Sequence, residues 1–483
     1  MPFLPTSTGL SELTPPIALG PLDGRYRSVV KSLVDFFSEP ALNRARLQVE
    51  VEWIIHLAAT GALPGLPQLT EECVDFLKAI AATFASAEIA ELAGIEQQTV
   101  HDVKAVEYFL QRRLDSPSCP PALSQPGIAE AIHFGLTSED VNNLAYGLMV
   151  RDGLQRAWRP LAQTLINQLI DLASAYADQP MLARTHGQPA TPTTLGKELA
   201  VFAYRLKRQL DRIDQTCFLG KISGATGTYG ALVVAVPTTD WPTVARSFVE
   251  HLGLTWHPLT TQLDSHDWQA ELYADLSRFG RIAHNLATDI WTYISLGYFR
   301  QARGQGTVGS STMPHKVNPI RFENAEANLE ISASLFDTLA ATLVTSRMQR
   351  DLTDSTSQRN IGVAFGHSML ALDNLSRGLA GLDVDTAAML ADLDTNWEVL
   401  TEPIQSAMRA VAVTGRPGFN NPYERLKDFS RGKRIGKAEI SSFISSLALP
   451  QDVADRLLEL TPDTYTGLAG QLVRQYLPPK EET

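Results

Sequence analysis

Residues 267–299 read DWQAELYADLSRFGRIAHNLATDIWTYISLGYF, and their spacing decides the fold class. Apolar side chains recur at Leu272, Leu276, Phe279, Ile282, Leu286, Ile290 and Tyr293. Steps of three and four, sustained over several turns, put one narrow apolar seam on an α-helix. From Asp267 to Phe299 such a helix would reach about 50 Å at 1.5 Å per residue. A small globular domain cannot cover that length, so the seam has to pack on other long helices. Two upstream segments repeat the pattern: Leu154, Trp158, Leu161, Leu165, Leu169 and Leu172, then Leu195, Leu199, Phe202, Leu206, Leu210 and Ile213. Further helical patterns follow at about 324–346 and 360–380. The spacing therefore predicts a mostly α chain with a central bundle of long helices. Seams of this length can also bury against other copies of the chain, so a homo-oligomer is expected.

Strand signal is sparse. Ala231 to Val236, between Gly230 and Pro237, is the best candidate for a short strand. Breaks rich in Pro, Gly and Ser occur at 115–126 and 414–422. They suggest an N-terminal helical domain over 1–124, a long-helix domain over 125–370 and a small C-terminal helical domain over 371–483.

The chain has 483 residues, 44% of them apolar, which is enough to bury a large core and excludes whole-chain disorder. Its 41 Lys and Arg against 53 Asp and Glu give a net charge of −12. A general nucleic-acid binder needs a basic footprint and is disfavoured. A small anionic ligand is not, because a pocket sets its own local field. Cys73, Cys119 and Cys217 lie far apart without a CxxC pair, which fits a reducing compartment and neither a disulfide framework nor a Cys-rich zinc site. Met1 to Gly20 has no basic start or apolar run of a signal peptide, and no apolar stretch approaches a membrane span. A cytoplasmic protein without membrane partners is expected.

Five polar clusters could carry chemistry. The first is the loop from Gly304 to Pro319, GQGTVGSSTMPHKVNP, which presents Ser310, Ser311, Thr312, His315, Lys316 and Asn318 between two helical patterns. Its glycines spell GxGxxG, but a helix precedes them and Pro314 follows, so the dinucleotide reading is rejected. A mobile lid carrying reactive groups is the functional alternative. The others are Arg184–Pro189 before the second helix pattern, with His186 able to titrate near neutrality; His101-Asp102-Val103-Lys104; Thr137-Ser138-Glu139-Asp140, a capping box whose helix start could also bind an anion; and Arg347–Asp351 with Asp354, Ser355 and Arg359. No HExxH, Walker A or GxSxG motif is present. His, Ser, Lys, Asn and Arg without metal-ligand spacing suit proton transfer with anion binding, and no metal or cofactor is called for.

Gly309-Ser-Ser-Thr-Met-Pro-His-Lys-Val-Asn-Pro319 resembles the signature loop of the fumarase/aspartase superfamily, and Met313-Pro-His-Lys316 that of its adenylosuccinate lyase family. Residues 21–26 (PLDGRY), 101–108 (HDVKAVEY), 137–140 (TSED), 184–191 (RTHGQPAT) and 350–355 (RDLTDS) resemble the bacterial form of that family in the same order. The resemblance implies a three-domain, mostly α homotetramer whose active sites are each assembled from three subunits. It implies β-elimination of fumarate from adenylosuccinate, giving AMP, and from SAICAR, giving AICAR. Ser310 matches the family's base and His186 its acid, with Glu323 orienting that histidine. Lys316 and Asn318 match residues that bind the succinyl carboxylates and developing charge. Thr137, Ser138 and Gln262 match succinyl or base contacts, and Asn324 is placed with the substrate-binding residues. Arg25, Tyr26, Arg350, Ser355 and Arg359 match the phosphate and ribose site; His101 and Asp102 match contacts close to the phosphate and the reacting centre. Departures are Val100 before His101, Arg321 where Asp is expected, a short insertion at 411–421 and about twelve extra N-terminal residues. Argininosuccinate lyase is disfavoured by the MPHK loop and the Arg350/Arg359 set. A catalytically silent relative is disfavoured because Ser310 and His186 are both present.

Overall fold

The computed structural model describes residues 20–301, 313, 316–419, 421–430 and 435–481. In chain order the elements that matter for the site are α1 (Glu39–Thr60), α2 (Asp102–Leu114), α3 (Ser138–Gly153), α4 (Arg159–Ala175), β1 (Pro180–Thr185), β2 (Gln188–Thr194) and α5 (Leu195–Asp214). They continue with β3 (Leu219–Gly220), α6 (Gly230–Ala235), β4 (Thr255–Trp256), α7 (Asp267–Ser295), β5 (Phe299–Gln301), α8 (Ile320–Leu343), α9 (Thr353–Gln358), α10 (Ile361–Ala380) and β6 (Leu382–Val384). The protein is mostly α, and the described strands form three two-stranded sheets.

The decisive stretch is helical over 29 residues, about 44 Å. It stops at Ser295, four residues short of the expected end. Gly297 takes a positive φ of 78° there, and Tyr298 N–H closes the turn on Tyr293 O at 2.9 Å. The seam expected from Leu154 is the second part of a longer rod, because α3 runs through a π turn at Leu154–Trp158 directly into α4. The predicted capping box forms at the start of α3, where Thr137 N–H donates to Asp140 Oδ2 at 2.9 Å.

The chain divides into two compact units. The first comprises Met1–Ala162, Gln209–His284 and Ala325–Asp373. One of its cores gathers Leu47, Ile54, Phe84 and Phe109; another gathers Trp53, Leu144, Leu232, Trp241 and Phe248. Helix α1 contributes to both cores and is buried on nearly every face. Its sequence carries charges on almost every turn, so each must find a partner inside. Arg46 bonds Asp102 at 2.7 Å, Glu50 meets His133 Nδ1 at 2.6 Å, and Glu52 meets His251 at 3.1 Å.

The strand expected at 231–236 is instead helix α6. Leu232 and Val236 are buried while Val233 and Val234 are exposed, which is the one-turn spacing of a helix and not the alternation of a strand. Leu232 packs over Gly135, where an added Cβ would lie 2.0 Å from Leu232 Cδ2. The β-branched valines read as strand locally; burial of a single face decided otherwise.

The second unit comprises Gln163–Arg208, Asn285–Asn324 and Asn374–Thr483. Its core gathers Leu182, Leu393, Leu400, Ile404, Met408, Ile440 and Ile444. Strands β1 and β2 form an antiparallel hairpin with Thr185 opposite Gln188, leaving His186-Gly187 as a two-residue turn. Both turn residues have positive φ, 54° and 74°, which is the type I′ geometry that matches strand twist. The polar turn expected before the second helix pattern is thus the tip of a hairpin. No described helix is long and apolar enough to cross a membrane.

In the first unit the carboxylate of Asp140 is fully buried and meets Lys221 Nζ at 2.7 Å, with Lys221 equally buried. Ser223 N–H and Gly224 N–H add bonds of 2.9 and 3.1 Å. Lys221→Met leaves that charge without its counter-ion. It should cost about 3–5 kcal/mol of stability, read as a lowered denaturant midpoint. Adding Asp140→Asn should recover part of the loss.

Candidate active site

The first unit joins five of the expected site residues through one hydrogen-bonded chain. Arg359 Nη2 donates to Asp102 Oδ2 at 3.1 Å, and Arg46 Nη2 donates to the same oxygen at 2.7 Å. Arg46 Nε reaches Asn142 Oδ1 at 2.9 Å, and Asn142 Nδ2 donates to Glu139 Oε1 at 2.8 Å. Arg350 Nη2 meets that Glu139 oxygen at 2.7 Å, while its Nη1 donates to Gln262 Oε1 at 3.1 Å. Arg359 Nη1 also bonds Ser355 Oγ at 2.9 Å. Asp102, Gln262, Arg350, Ser355 and Arg359 come from three separate stretches of sequence, around 102, 262 and 350–359. They are aligned by Arg46 and Asn142, which sequence reasoning missed, and by Glu139, which it had only as a member of the TSED cluster. The available signal for Asn142 was the helix start TSED just before it; Arg46 lies in a helix charged on almost every turn and had none.

Backbone geometry explains the anchoring. Asp140 fixes the first turn of α3, so Glu139 beside it projects from a rigid position. Gln262 lies in a loop held by Ser223 Oγ against Thr260 Oγ1 at 3.0 Å, and its own Nε2 donates to Ala225 O at 2.8 Å. Gly227 lets these loops meet, since a Cβ on it would stand 2.0 Å from Thr260 O. Both ends of the Gln262 amide are thus engaged, one with Arg350.

Electrostatics follow from burial. Burial raises the Asp102 carboxyl, but Arg46, the Val103 N–H and Arg359 outweigh it and hold the group down at about 2. Burial dominates at Glu139 and pushes its carboxyl up against the pull of Arg350. His101 is the N-cap of α2, with Nδ1 accepting from Lys104 N–H at 3.1 Å, and its ring is largely exposed. Thr137 and Ser138 stand half-buried at the start of α3. Arg25 is exposed and stacks over Tyr26 at 5.7 Å.

The second unit carries the other expected residues. His186 is exposed at the hairpin tip. The hairpin is pinned beside it by Arg184, which bonds Asp392 at 2.5 Å and the Tyr298 hydroxyl at 2.9 Å, and by Thr191, which bonds Glu402. Glu323, in the first turn of α8, accepts from Trp291 Nε1 at 3.2 Å; the single chain does not show the expected bond from Glu323 to His186. Asn324 Oδ1 accepts from Asn374 Nδ2 at 3.0 Å. Lys316 is exposed, and Asn318 Oδ1 is buried without a partner among the described residues. Ser310 and His315, with residues 302–312 and 314–315, lie outside the described residues.

The fold is shared with a fumarate lyase from Mesorhizobium sp. BNC1, at a TM-score of 0.74 and 21% identity over 92% of this chain and 97% of that one. It is shared with the 3-carboxy-cis,cis-muconate lactonizing enzyme from Pseudomonas putida, at 0.71 and 22% over 92% and 95%. A family model described as lyase matches residues 24–330, and one described as adenylosuccinate lyase C-terminal matches 346–466. The chain is 45% identical to adenylosuccinate lyase of Escherichia coli (strain K12) over 464 residues, 96% of this chain and 99% of the relative. It is 45% identical to that of Vibrio cholerae over 462 residues, 95% and 99% of the two chains. The chain belongs to the adenylosuccinate lyase family and is an enzyme of the C–N lyase type.

The low Asp102 value has a pH consequence. A carboxyl depressed from 3.8 to about 2 contributes stability above pH 4 and loses it as the pH falls toward 2. Allowing for partial exposure, about 1–2 kcal/mol is involved. Urea midpoints of Asp102→Asn should therefore fall less steeply than those of the parent between pH 4 and pH 2.

Proposed function

We propose that the protein cleaves adenylosuccinate to AMP and fumarate, and SAICAR to AICAR and fumarate, in purine nucleotide synthesis. The observation that carries this reading is the 45% identity across 96% of the chain to a protein named adenylosuccinate lyase. The guanidinium chain of the first unit supports it, since a forked guanidinium matches phosphate and carboxylate oxygens.

The reaction is a β-elimination. The Ser310 alkoxide takes the proton beside a succinyl carboxylate, the C–H electrons form the new C=C bond, and the C–N pair leaves with the purine nitrogen. His186, as imidazolium, returns a proton to that nitrogen. Each transfer is worth typically ~10²–10⁴-fold. Glu323 orients His186. Lys316 and Asn318 receive the carboxylates and the charge that develops on one of them. Thr137, Ser138, Gln262 and Asn324 complete the succinyl side. Arg25, Tyr26, Arg350, Ser355 and Arg359 take the phosphate and ribose, with His101 and Asp102 between the two ends. Asp102 acts by fixing Arg359.

The working form is a homotetramer with sites shared between subunits. That arrangement accounts for the absence, among the described residues, of a bond from Glu323 to His186 and of a partner for the Asn318 oxygen. The division at about 124 and 370 into three domains, and a cytoplasmic location, belong to the same reading.

Purified enzyme should convert adenylosuccinate to AMP and fumarate, followed by the nucleotide absorbance change. Turnover of argininosuccinate with neither purine substrate cleaved would sink the assignment. Ser310→Ala and His186→Ala should each lower kcat by at least about 10² while AMP still binds. Mixing the two inactive variants should restore partial activity, and failure to do so counts against shared sites.

A further inference from the structure

Every N–H direction of the Arg359 guanidinium is taken. Nε donates to Glu39 Oε2 at 3.1 Å, and Nη2 donates to Glu39 Oε1 at 3.2 Å. Nη2 also reaches Asp102 at 3.1 Å, and Nη1 reaches Ser355 Oγ and O at 2.9 and 3.1 Å. A phosphate can bind this group only by replacing an acceptor already there.

The three acceptors are held very differently. Asp102 is locked by buried Arg46 at 2.7 Å and by the Val103 N–H at 2.9 Å. Ser355 sits one helical turn before Arg359 and cannot move far from it. Glu39 has no hydrogen bond to anything but Arg359 among the described residues, and its side chain is 44% exposed. Its two oxygens sit on Nε and Nη2 in the parallel, forked arrangement that phosphate oxygens also take. Moving Glu39 leaves α1 capped, because the cap is Ser38, whose Oγ accepts from Ala41 N–H at 3.2 Å.

We propose that Glu39 is a placeholder for the substrate phosphate: its carboxylate holds the forked face of Arg359 in the free enzyme and yields it to the nucleotide. The inference rests on the reading of Arg359 as a phosphate contact. Glu39 keeps the guanidinium aligned while the site is empty. Its displacement, and its repulsion of the incoming dianion, lower the affinity for substrate and product alike. The displaced carboxylate turns into water, where it is already half exposed.

The test uses the full-length enzyme, with AMP and adenosine as calorimetric probes and adenylosuccinate for KM. Glu39→Gln keeps the shape and removes the charge. It should bind AMP about two- to fivefold more tightly, the range set by displacing an exposed ion pair, and lower KM by a similar factor. Adenosine, which has no phosphate, should bind as before. Weaker AMP binding would mean that Glu39 only positions Arg359, and would overturn the proposal; so would equal tightening of AMP and adenosine. Arg359→Lys separates the two layers of the argument. It should weaken AMP by at least about tenfold and spare adenosine. Unchanged AMP binding would remove the phosphate assignment itself, whereas weakened AMP with no Glu39→Gln effect would remove only the placeholder.

Discussion

A carboxylate with no access to water must be matched by donors, and Asp140 meets that demand inside the first unit. Its two oxygens collect Thr137 N–H, Lys221 Nζ, Ser223 N–H and Gly224 N–H. Three separate pieces of chain are fixed by one charge: the start of α3, the segment after β3, and the loop that segment packs against. A buried ion pair is weak evidence of net stabilisation, but removing one partner is costly. The arrangement therefore acts as a geometric constraint. Glu139 and Gln262, which hold Arg350 from two sides, derive their positions from it.

The same logic runs through Arg46. A buried guanidinium needs acceptors on all its edges, and Asn43, Asn142 and Asp102 supply them. Satisfying Arg46 sets Asp102, which in turn sets Arg359; satisfying it through Asn142 sets Glu139 and so Arg350. Two cationic groups on different segments are thereby tied to one buried residue. The net charge of −12 describes the chain as a whole, while the carboxylates next to these arginines fix the direction of each guanidinium.

Long seams were legible because a helix repeats its buried face every three to four residues. The pattern over 272–293 placed α7 to within a few residues, and the patterns at 195–213, 324–346 and 360–380 placed α5, α8 and α10. The start of α3 was legible from TSED. Helix α1 was not, since its buried charges erase the periodicity that marks a surface helix. Residues 231–236 read as strand because β-branched valines dominate locally, yet only Leu232 and Val236 had a core to meet. The hairpin around His186-Gly187 was missed because RTHGQPAT carries no alternation of apolar and polar residues. Its strands are held by Arg184 to Asp392 and Thr191 to Glu402, partners roughly two hundred residues away.

Membership in the lyase family and the mostly α class were determined by the sequence alone, because seams and contiguous motifs are local properties of the chain. Which arginines work together, which side chains aim them, and which carboxylate is free to leave were decided only by tertiary structure. Arg46, Asn142 and Glu39 have no motif of their own, and Glu139 has only the helix start TSED. Burial removed water as a hydrogen-bond partner from most of them, and folding then had to supply the missing partners, several of them from distant parts of the chain.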